Sequence, residues 1–418
     1  MKRLNSIFKM DKKNRHQILL WLIGGLILTF ATEIFLRGSV KEVVSWVKET
    51  PGVMLANYLL ILMLTSIFFL AKRKYMVYFI SFVVILGVSI TTFFLMKVRG
   101  TPLTFSDLYS IGEAMEIADK YINPTIIIIG IVCIAFLVVF CVFLYKLDGD
   151  TKRFKLINFV LVFVVSAIFF TTVKSQQAKN IMVYKRWDIP ASYKCNGLTY
   201  STVESCLKYI RTKPNDYSQS KIAKIKEKVD KAEANDNRKL NKNKPNVLFV
   251  QLEAFMDPET IKGVKYSEDP IPNFRKLTKL YTSGMANVPT TGGGTVRTEF
   301  EVMTGNNIDY LTPGEIPYST ILKSKYYNSV ATTLSSQGYE THAVHNFQGN
   351  FYGRNNAYGK LGFGDFTSQE YMSGYELNER NWIKDKILTK YIKRALDSTE
   401  GSDLVYTVTV QGHSSYPT

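Results

Sequence analysis

The chain has 418 residues, long enough for roughly two or three domains. Hydrophobic residues make up 46% of it and only four residues are cysteine, which excludes a disordered chain and a disulfide-built scaffold. A formal charge of +17, from 52 Lys and Arg against 35 Asp and Glu, points to nucleic acid or an anionic membrane surface as partner.

The distribution of these residues decides between the two. Five apolar runs lie within the first 173 residues, at 18–35, 53–71, 75–96, 126–145 and 154–173. Each is about 20 residues long, enough to cross roughly 30 Å of hydrocarbon as a helix. Only Glu33 and Lys155 interrupt them with charge, both near a run's end, where a long side chain reaches the interface. The first run is too long for the core of a cleavable signal peptide, and four more follow it. Lys2, Arg3, Lys9, Lys12, Lys13 and Arg15 place the N-terminus in the cytoplasm, and Lys72, Arg73 and Lys74 do the same for the second loop. Lys146, Lys152 and Arg153 assign the fourth loop to that side. With an odd number of spans, everything after residue 173 is expected outside the cell. That placement removes nucleic acid as a partner and leaves anionic lipid for the basic charge.

The third loop, 97–124, is long for a connector. It carries Arg99-Gly100-Thr101-Pro102-Leu103, then Ser106-Asp107-Leu108, which predicts a helix up to Tyr121 capped by Ser106 or Asp107. Cys133 and Cys141, in the fourth run, read as buried packing residues. Residues 174–244 form a polar, basic linker. Within it, 221–234 sets Ile222, Ile225 and Val229 on one helical face and predicts a solvated tether close to the lipid. Cys195 and Cys206 fit either a disulfide or two free thiols. The expected domains are therefore a membrane domain at 1–173, this linker, and an outer domain from 245 to 418.

After Pro245 strands and helices alternate. The run 246–252 predicts a strand of a parallel sheet covered on both faces, and it ends on Glu253. The carboxyl ends of such strands line the active crevice, and a carboxylate there suits a divalent cation. A helix is predicted over 272–280 and a strand over 284–288. Gly292-Gly293-Gly294-Thr295 then runs into a helix, an arrangement that lets backbone N–H groups approach a phosphate. Thr295 stands at the helix start, and its hydroxyl becomes a nucleophile once a base or metal takes its proton. The terminal Gly-Lys-Ser/Thr of a Walker loop is missing. Further strands are predicted to end at His345 and to cover 403–410, the latter followed by Gln411-Gly412-His413-Ser414.

The five spans, the third-loop residues above, a strand ending Leu-Glu-Ala-Phe, and Gly-Gly-Thr-x-x-x-Glu-Phe together resemble the lipoteichoic acid synthase family. Its members are membrane phosphoglycerol transferases of the sulfatase/alkaline phosphatase superfamily. The resemblance implies a multi-pass α-helical membrane domain followed by an extracellular α/β sulfatase-like domain. It makes Glu253 a metal ligand and Thr295 both the nucleophile and a further ligand of a divalent metal. Manganese is the implied metal, with magnesium and zinc as alternatives. His345-Asn346 and Phe351-Tyr352-Gly353-Arg354-Asn355 resemble the family's His-Gly-Asn…Phe-Trp-Asn-Arg-Asp segment. By that likeness Tyr352 and Arg354 contact the glycerophosphate, and His345 and His413 lie on the substrate side.

The family's Gly-Lys-Thr-Ser-Asp-x-Glu-Phe reads Gly-Gly-Thr-Val-Arg-Thr-Glu-Phe here, so Gly294 replaces the Lys and Arg297 takes an acidic or polar position. The superfamily's Asp-His metal pair does not occur in the sequence. A domain of this type is expected to continue for about 150–200 residues past Thr418, which would leave the metal site incomplete within this chain. The implied activity moves glycerophosphate from phosphatidylglycerol, through a threonine-bound intermediate, to a polyglycerolphosphate or related glycolipid acceptor. The implied setting is the cell membrane of a Gram-positive-type bacterium. The alternatives are phosphoethanolamine or another head group, or a catalytically incomplete protein with a binding role. Sulfate-ester hydrolysis is disfavoured because sulfatases use a modified Cys or Ser where this chain has Thr295.

Overall fold

The computed structural model describes residues 12–112, 124–147, 156–185, 188–208, 216–234, 243–289, 294–312 and 314–413. The chain divides into two compact units. Met1–Ile210 with Leu311–Glu315 forms one, and Arg211–Tyr310 with Ile316–Thr418 forms the other.

The first unit contains five helices long and apolar enough to cross a membrane, Lys12–Arg37, Pro51–Leu70, Lys74–Val98, Ile127–Leu147 and Leu156–Ala178. They are labelled α1 (Lys12–Arg37), α3 (Pro51–Thr65, continued as a 3-10 turn), α4 (Lys74–Arg99), α5 (Pro124–Leu147) and α6 (Leu156–Ala178), with the short α2 (Val40–Glu49) between the first two. The expected cytoplasmic cations at residues 2, 3, 9, 152 and 153 lie outside the described residues. Along α5, Ile128, Val132, Phe136 and Val139 are between 62% and 67% exposed. A face this apolar and this bare is stable against lipid and not against water. Cys133 sits on the exposed side of α5 and Cys141 is half-buried, so the expectation of two buried packing thiols is corrected. Where α1, α3 and α4 meet, Trp21, Leu62, Phe68, Phe69 and Tyr78 form a core, pinned by the Trp21 indole N–H to Leu62 O at 3.0 Å.

Polar side chains of the first two spans pair with backbone groups of the chain that follows the last span. Glu33, near the end of α1, pairs with Arg37 at 2.9 Å and accepts the backbone N–H of Leu198 at 2.8 Å. Leu198 opens α8 (Leu198–Lys208), which follows α7 (Ile189–Asn196). Arg37 also donates to Lys194 O at 2.6 Å, and its guanidinium lies 4.4 Å over the Trp46 ring. Asn57 donates to Asn196 O at 2.8 Å and accepts from the Tyr200 N–H at 2.9 Å. Between the two short helices Gly197 has φ +83°, and a Cβ there would lie 2.3 Å from the Asn57 side chain. Only glycine fits. The first part of the expected linker is thus docked on the helical unit, because buried carboxylate and amide groups in α1 and α3 require partners that the spans themselves lack. Cys195 and Cys206 are free thiols, and burial pushes the Cys206 thiol up.

In the third loop, Thr104 and Asp107 cap a 3-10 turn over Phe105–Ser110 reciprocally. Thr104 is therefore the cap, and Asp107 answers it from the third position. The rest of the expected helix, beyond Gly112, lies outside the described residues.

In the second unit α9 (Gln219–Ala234) leaves Ile222, Ile225 and Val229 exposed along one face, as the spacing predicts. Among the described residues four parallel strands follow, β1 (Val247–Gln251), β2 (Tyr339–His345), β3 (Asp365–Thr367) and β4 (Ser402–Val408), in the order β1-β4-β2-β3. β2 and β4 are central and almost wholly buried. β1 alternates instead, with Leu248 and Val250 about half exposed, so the expectation of cover on both faces holds for the centre of the sheet and not for this edge strand. Residues 284–288, expected as a strand, have no strand structure. The helix α10 (Pro272–Leu280) forms where predicted, with proline in its first turn. All strands being parallel, their carboxyl ends share one edge of the sheet, where residues 253, 345 and 413 follow or end a strand.

Within β2 the His342 ring lies between two carboxylates, Nδ1 at 2.6 Å from Asp365 and Nε2 at 3.2 Å from Asp403. Only the doubly protonated ring donates to both, and the two aspartates hold its pKa above 6.5. That contribution is complete below the ordinary value and is lost as pH rises through the raised one. The melting temperature is therefore expected to fall as pH rises from about 6 to about 9, with His342→Gln flattening the profile. In the helical unit Glu33→Ala strands Arg37 and the Leu198 N–H. It is expected to cost about 3–5 kcal/mol, the usual penalty for removing one partner of a buried pair, read as a lower melting temperature in detergent.

Candidate functional site

At the shared edge of the sheet the chain leaves β1 through Leu252 and reaches Glu253. The Glu253 N–H donates to Thr409 Oγ1 at 2.9 Å, and Thr409 N–H donates to Gln251 O at 3.1 Å, so the exits from β1 and β4 are laced together. Ala254 then takes a left-handed backbone conformation, φ +55°, which turns the chain sharply and aims the Glu253 side chain across the edge. Gly412 passes so close that a Cβ on it would lie 2.8 Å from Glu253 O. Glycine at 412 is required to let the two loops meet.

The residues 290–293, most of the glycine run, lie outside the described residues. Gly294 has φ +79°, a conformation that suits glycine and explains its presence beside Thr295. Thr295 precedes α11 (Val296–Thr304) and makes no side-chain cap to it. Its hydroxyl donates to Glu253 Oε1 instead. Thr295 is therefore not a simple helix cap. Burial raises the Glu253 pKa, opposed by the charge of Arg354, the Thr295 hydrogen bond and His413, and reinforced by Glu299.

Arg354 opens α12 (Arg354–Lys360) and is 1% exposed. Its Nη2 donates to Glu299 at 2.6 Å and its Nε to the same carboxylate at 3.4 Å. Nη1 is buried without a hydrogen-bond partner among the described residues. Tyr352, at φ +58°, holds its ring 5.5 Å from the Arg354 guanidinium. His345, the last residue of β2, is buried and donates from Nδ1 to Val408 O at 2.9 Å. Burial and the Arg354 charge keep it neutral, so its Nε2 carries the lone pair. The His413 ring lies 4.5 Å from the Trp382 ring, tilted at 38° to it.

The structure thus joins Thr295 to Glu253 by a hydrogen bond, and Arg354 and His413 act on the same carboxylate through their charge. His345 belongs to the buried layer beneath, within the field of Arg354. Three contributors were not singled out from the sequence: Glu299, Tyr358, whose hydroxyl donates to Glu299 at 2.9 Å, and Gly412. Glu299 had a readable signal, since it lies four residues after Thr295 and shares its helical face. Nothing in local spacing marks Tyr358 or Gly412.

Glu253 and Thr295 offer one carboxylate and one hydroxyl, oxygen donors suited to a hard divalent cation. Among the described residues no group of three or more His, Cys, Asp and Glu is placed to hold a metal. The two donors are a partial shell and do not make a complete metal centre.

Residues 245–418 match the family model described as Sulfatase. The fold is five apolar helices followed by a sulfatase-type domain with a parallel sheet, and the likeness to the lipoteichoic acid synthase family fits this match. A Rhizobium meliloti (strain 1021) protein provisionally named for cyclic beta-1,2-glucan modification is 32% identical over 230 residues, 55% of this chain and 34% of that protein. The chain thus spans about a third of the curated relative it matches. The phosphoglycerol transferase GacH of Streptococcus pyogenes, solved with sn-glycerol-1-phosphate, is similar at 26% identity over 48% of this chain and 53% of its own, with a TM-score of 0.41. The lipooligosaccharide phosphoethanolamine transferase A (EptA) of Neisseria meningitidis is similar at 14% identity over 96% of this chain and 69% of its own, with a TM-score of 0.49.

The close approach of residue 412 is directly testable. Gly412→Ala is expected to destabilise the second unit by about 1–3 kcal/mol, the usual cost of overpacking. Gly401→Ala, where a Cβ meets nothing within 4 Å, is expected to leave melting unchanged.

Proposed function

We propose that this chain is a membrane-bound phosphotransferase that moves the glycerophosphate head group of phosphatidylglycerol through a covalent bond to Thr295. The observation that carries this reading is the Thr295 hydroxyl donating to the half-buried Glu253 carboxylate, with a buried arginine that keeps one donor nitrogen unused. A threonine hydroxyl is a weak nucleophile, and a carboxylate whose pKa burial has raised is a stronger proton acceptor than a free one.

In the first step Thr295 Oγ1 bonds to phosphorus, its proton passes to Glu253, and the bond from phosphorus to the diacylglycerol oxygen breaks. Diacylglycerol leaves as the alcohol, taking the proton that Glu253 accepted. In the second step an acceptor hydroxyl attacks the same phosphorus, its proton passes to Glu253, the bond to Oγ1 breaks, and Thr295 regains its proton from Glu253. Arg354 neutralises charge on the phosphoryl oxygens throughout. The dipole of α11, whose N-terminus lies at Thr295, adds to that stabilisation. A divalent cation held by Glu253 and Thr295 would take over the activation of the threonine by lowering its pKa and would neutralise further charge, manganese being the family expectation.

The acceptor in this reading is a polyglycerolphosphate chain or a related glycolipid. The basic residues flanking the spans put the N-terminus in the cytoplasm and the sulfatase-type domain outside, facing the outer leaflet and its anionic lipid.

The full-length protein in detergent, incubated with head-group-labelled phosphatidylglycerol, divalent cation and a glycolipid acceptor, is expected to transfer label. Thr295→Ala should reduce that transfer by at least about a thousandfold, as loss of a covalent nucleophile does. Full activity in Thr295→Ala would remove the nucleophile assignment. Transfer from phosphatidylethanolamine in place of phosphatidylglycerol would assign the alternative head group.

A further inference from the structure

We propose that Glu299 is a positioning residue that sets the direction in which Arg354 presents its unused donor nitrogen, Nη1, to the phosphate. The inference rests on the phosphoryl-transfer reading above and assigns a role to a carboxylate that never meets the substrate.

Glu299 is 0% exposed, and three donors converge on it: Arg354 Nη2 at 2.6 Å, Arg354 Nε at 3.4 Å and the Tyr358 hydroxyl at 2.9 Å. A guanidinium is flat, and its donors form a rigid fork. Once Nε and Nη2 are committed to one carboxylate, the plane and the direction of Nη1 are fixed as well. Nη1 is the donor that remains, buried and without a hydrogen-bond partner among the described residues. A buried guanidinium N–H left unsatisfied is costly, and a phosphate oxygen is the acceptor that suits it.

The placement of Glu299 in the sequence gives the arrangement its precision. Thr295 and Glu299 are four residues apart at the start of α11, one helical turn on the same face. The helix that carries the nucleophile therefore also fixes the arginine, and any shift of the helix moves both together. The surrounding groups keep the pair isolated from water. The Tyr318, Tyr358 and Tyr406 hydroxyls are buried and neutral, their pKa values raised first by burial and then by the Glu299 charge. The Tyr406 hydroxyl is spent on Gln251 Oε1 at 2.7 Å and does not compete for Arg354. Glu253 supplies the second negative charge near the guanidinium. A lysine at 354 could balance the charge of Glu299 and still could not aim a second donor.

The test compares Glu299→Gln and Glu299→Asp with Arg354→Ala and with Glu299→Gln/Arg354→Ala, each as full-length protein with its melting temperature measured. Glu299→Gln keeps the length of the side chain and drops the charge. Glu299→Asp keeps the charge and withdraws the carboxylate, so it guards against a Gln variant that fails to fold. Both are expected to lower kcat/KM for phosphatidylglycerol by about 10-fold or more, with the Asp variant melting near wild type. The double variant should lose no more than Arg354→Ala alone, because Glu299 acts only through the arginine. Wild-type rates in a folded Glu299→Asp, or losses that multiply in the double variant, would overturn the assignment while leaving the phosphotransferase reading intact. If the wild-type protein transfers no head group, that reading fails, and inorganic phosphate becomes the probe. It should still raise the melting temperature of wild type and not of Glu299→Asp, and equal protection of both would overturn the role of Glu299.

Discussion

A guanidinium buried against a carboxylate governs the arrangement around Thr295. Arg354 is sealed from solvent and Glu299 with it, so neither charge is stable without the other. That mutual need draws the first turn of α12 onto α11, and α11 carries Thr295 at its start. Such a pair is a poor source of stability, since removing two charges from water costs about as much as their attraction returns. Its value lies in geometry. It fixes a helix start, a nucleophile and a hydrogen-bond donor relative to one another, and the edge of the parallel sheet supplies the remaining groups through Glu253 and His413.

The helical unit applies the same physics to a different end. Glu33 and Asn57 lie within apolar helices, where an unsatisfied polar group is costly, and both are satisfied by backbone groups of the short helices that follow the last span. Polar residues in the spans thus act as docking points for the chain that leaves them. By composition 174–244 reads as one polar, basic linker with helices. Composition does not reveal that Leu198 N–H and Asn196 O are the partners Glu33 and Asn57 need.

What could be read from the sequence follows from the range of the interactions involved. The spans, α10, β2 and β4 are set by local periodicity and run length, and they form where expected. Residues 284–288 have the apolar content of a strand and no strand neighbour, so propensity alone did not carry them. The cover on β1 depends on what lies beside it in space, which strand order decides and a linear pattern does not. At the site, Glu253 was legible as the residue ending a strand, and Thr295 as the residue leaving a glycine run. The partner of Arg354 was not, because the two are 55 residues apart and meet only after the sheet has formed.

The central claim is that Thr295 becomes covalently linked to the transferred group. Peptide mass spectrometry of the full-length protein, quenched after brief exposure to phosphatidylglycerol without an acceptor, tests it most directly. A glycerophosphate adduct on the peptide containing Thr295, lost when a glycolipid acceptor is added, is the predicted result. Transfer activity in the same preparation with no adduct at Thr295, or with the adduct on another residue, would contradict the account.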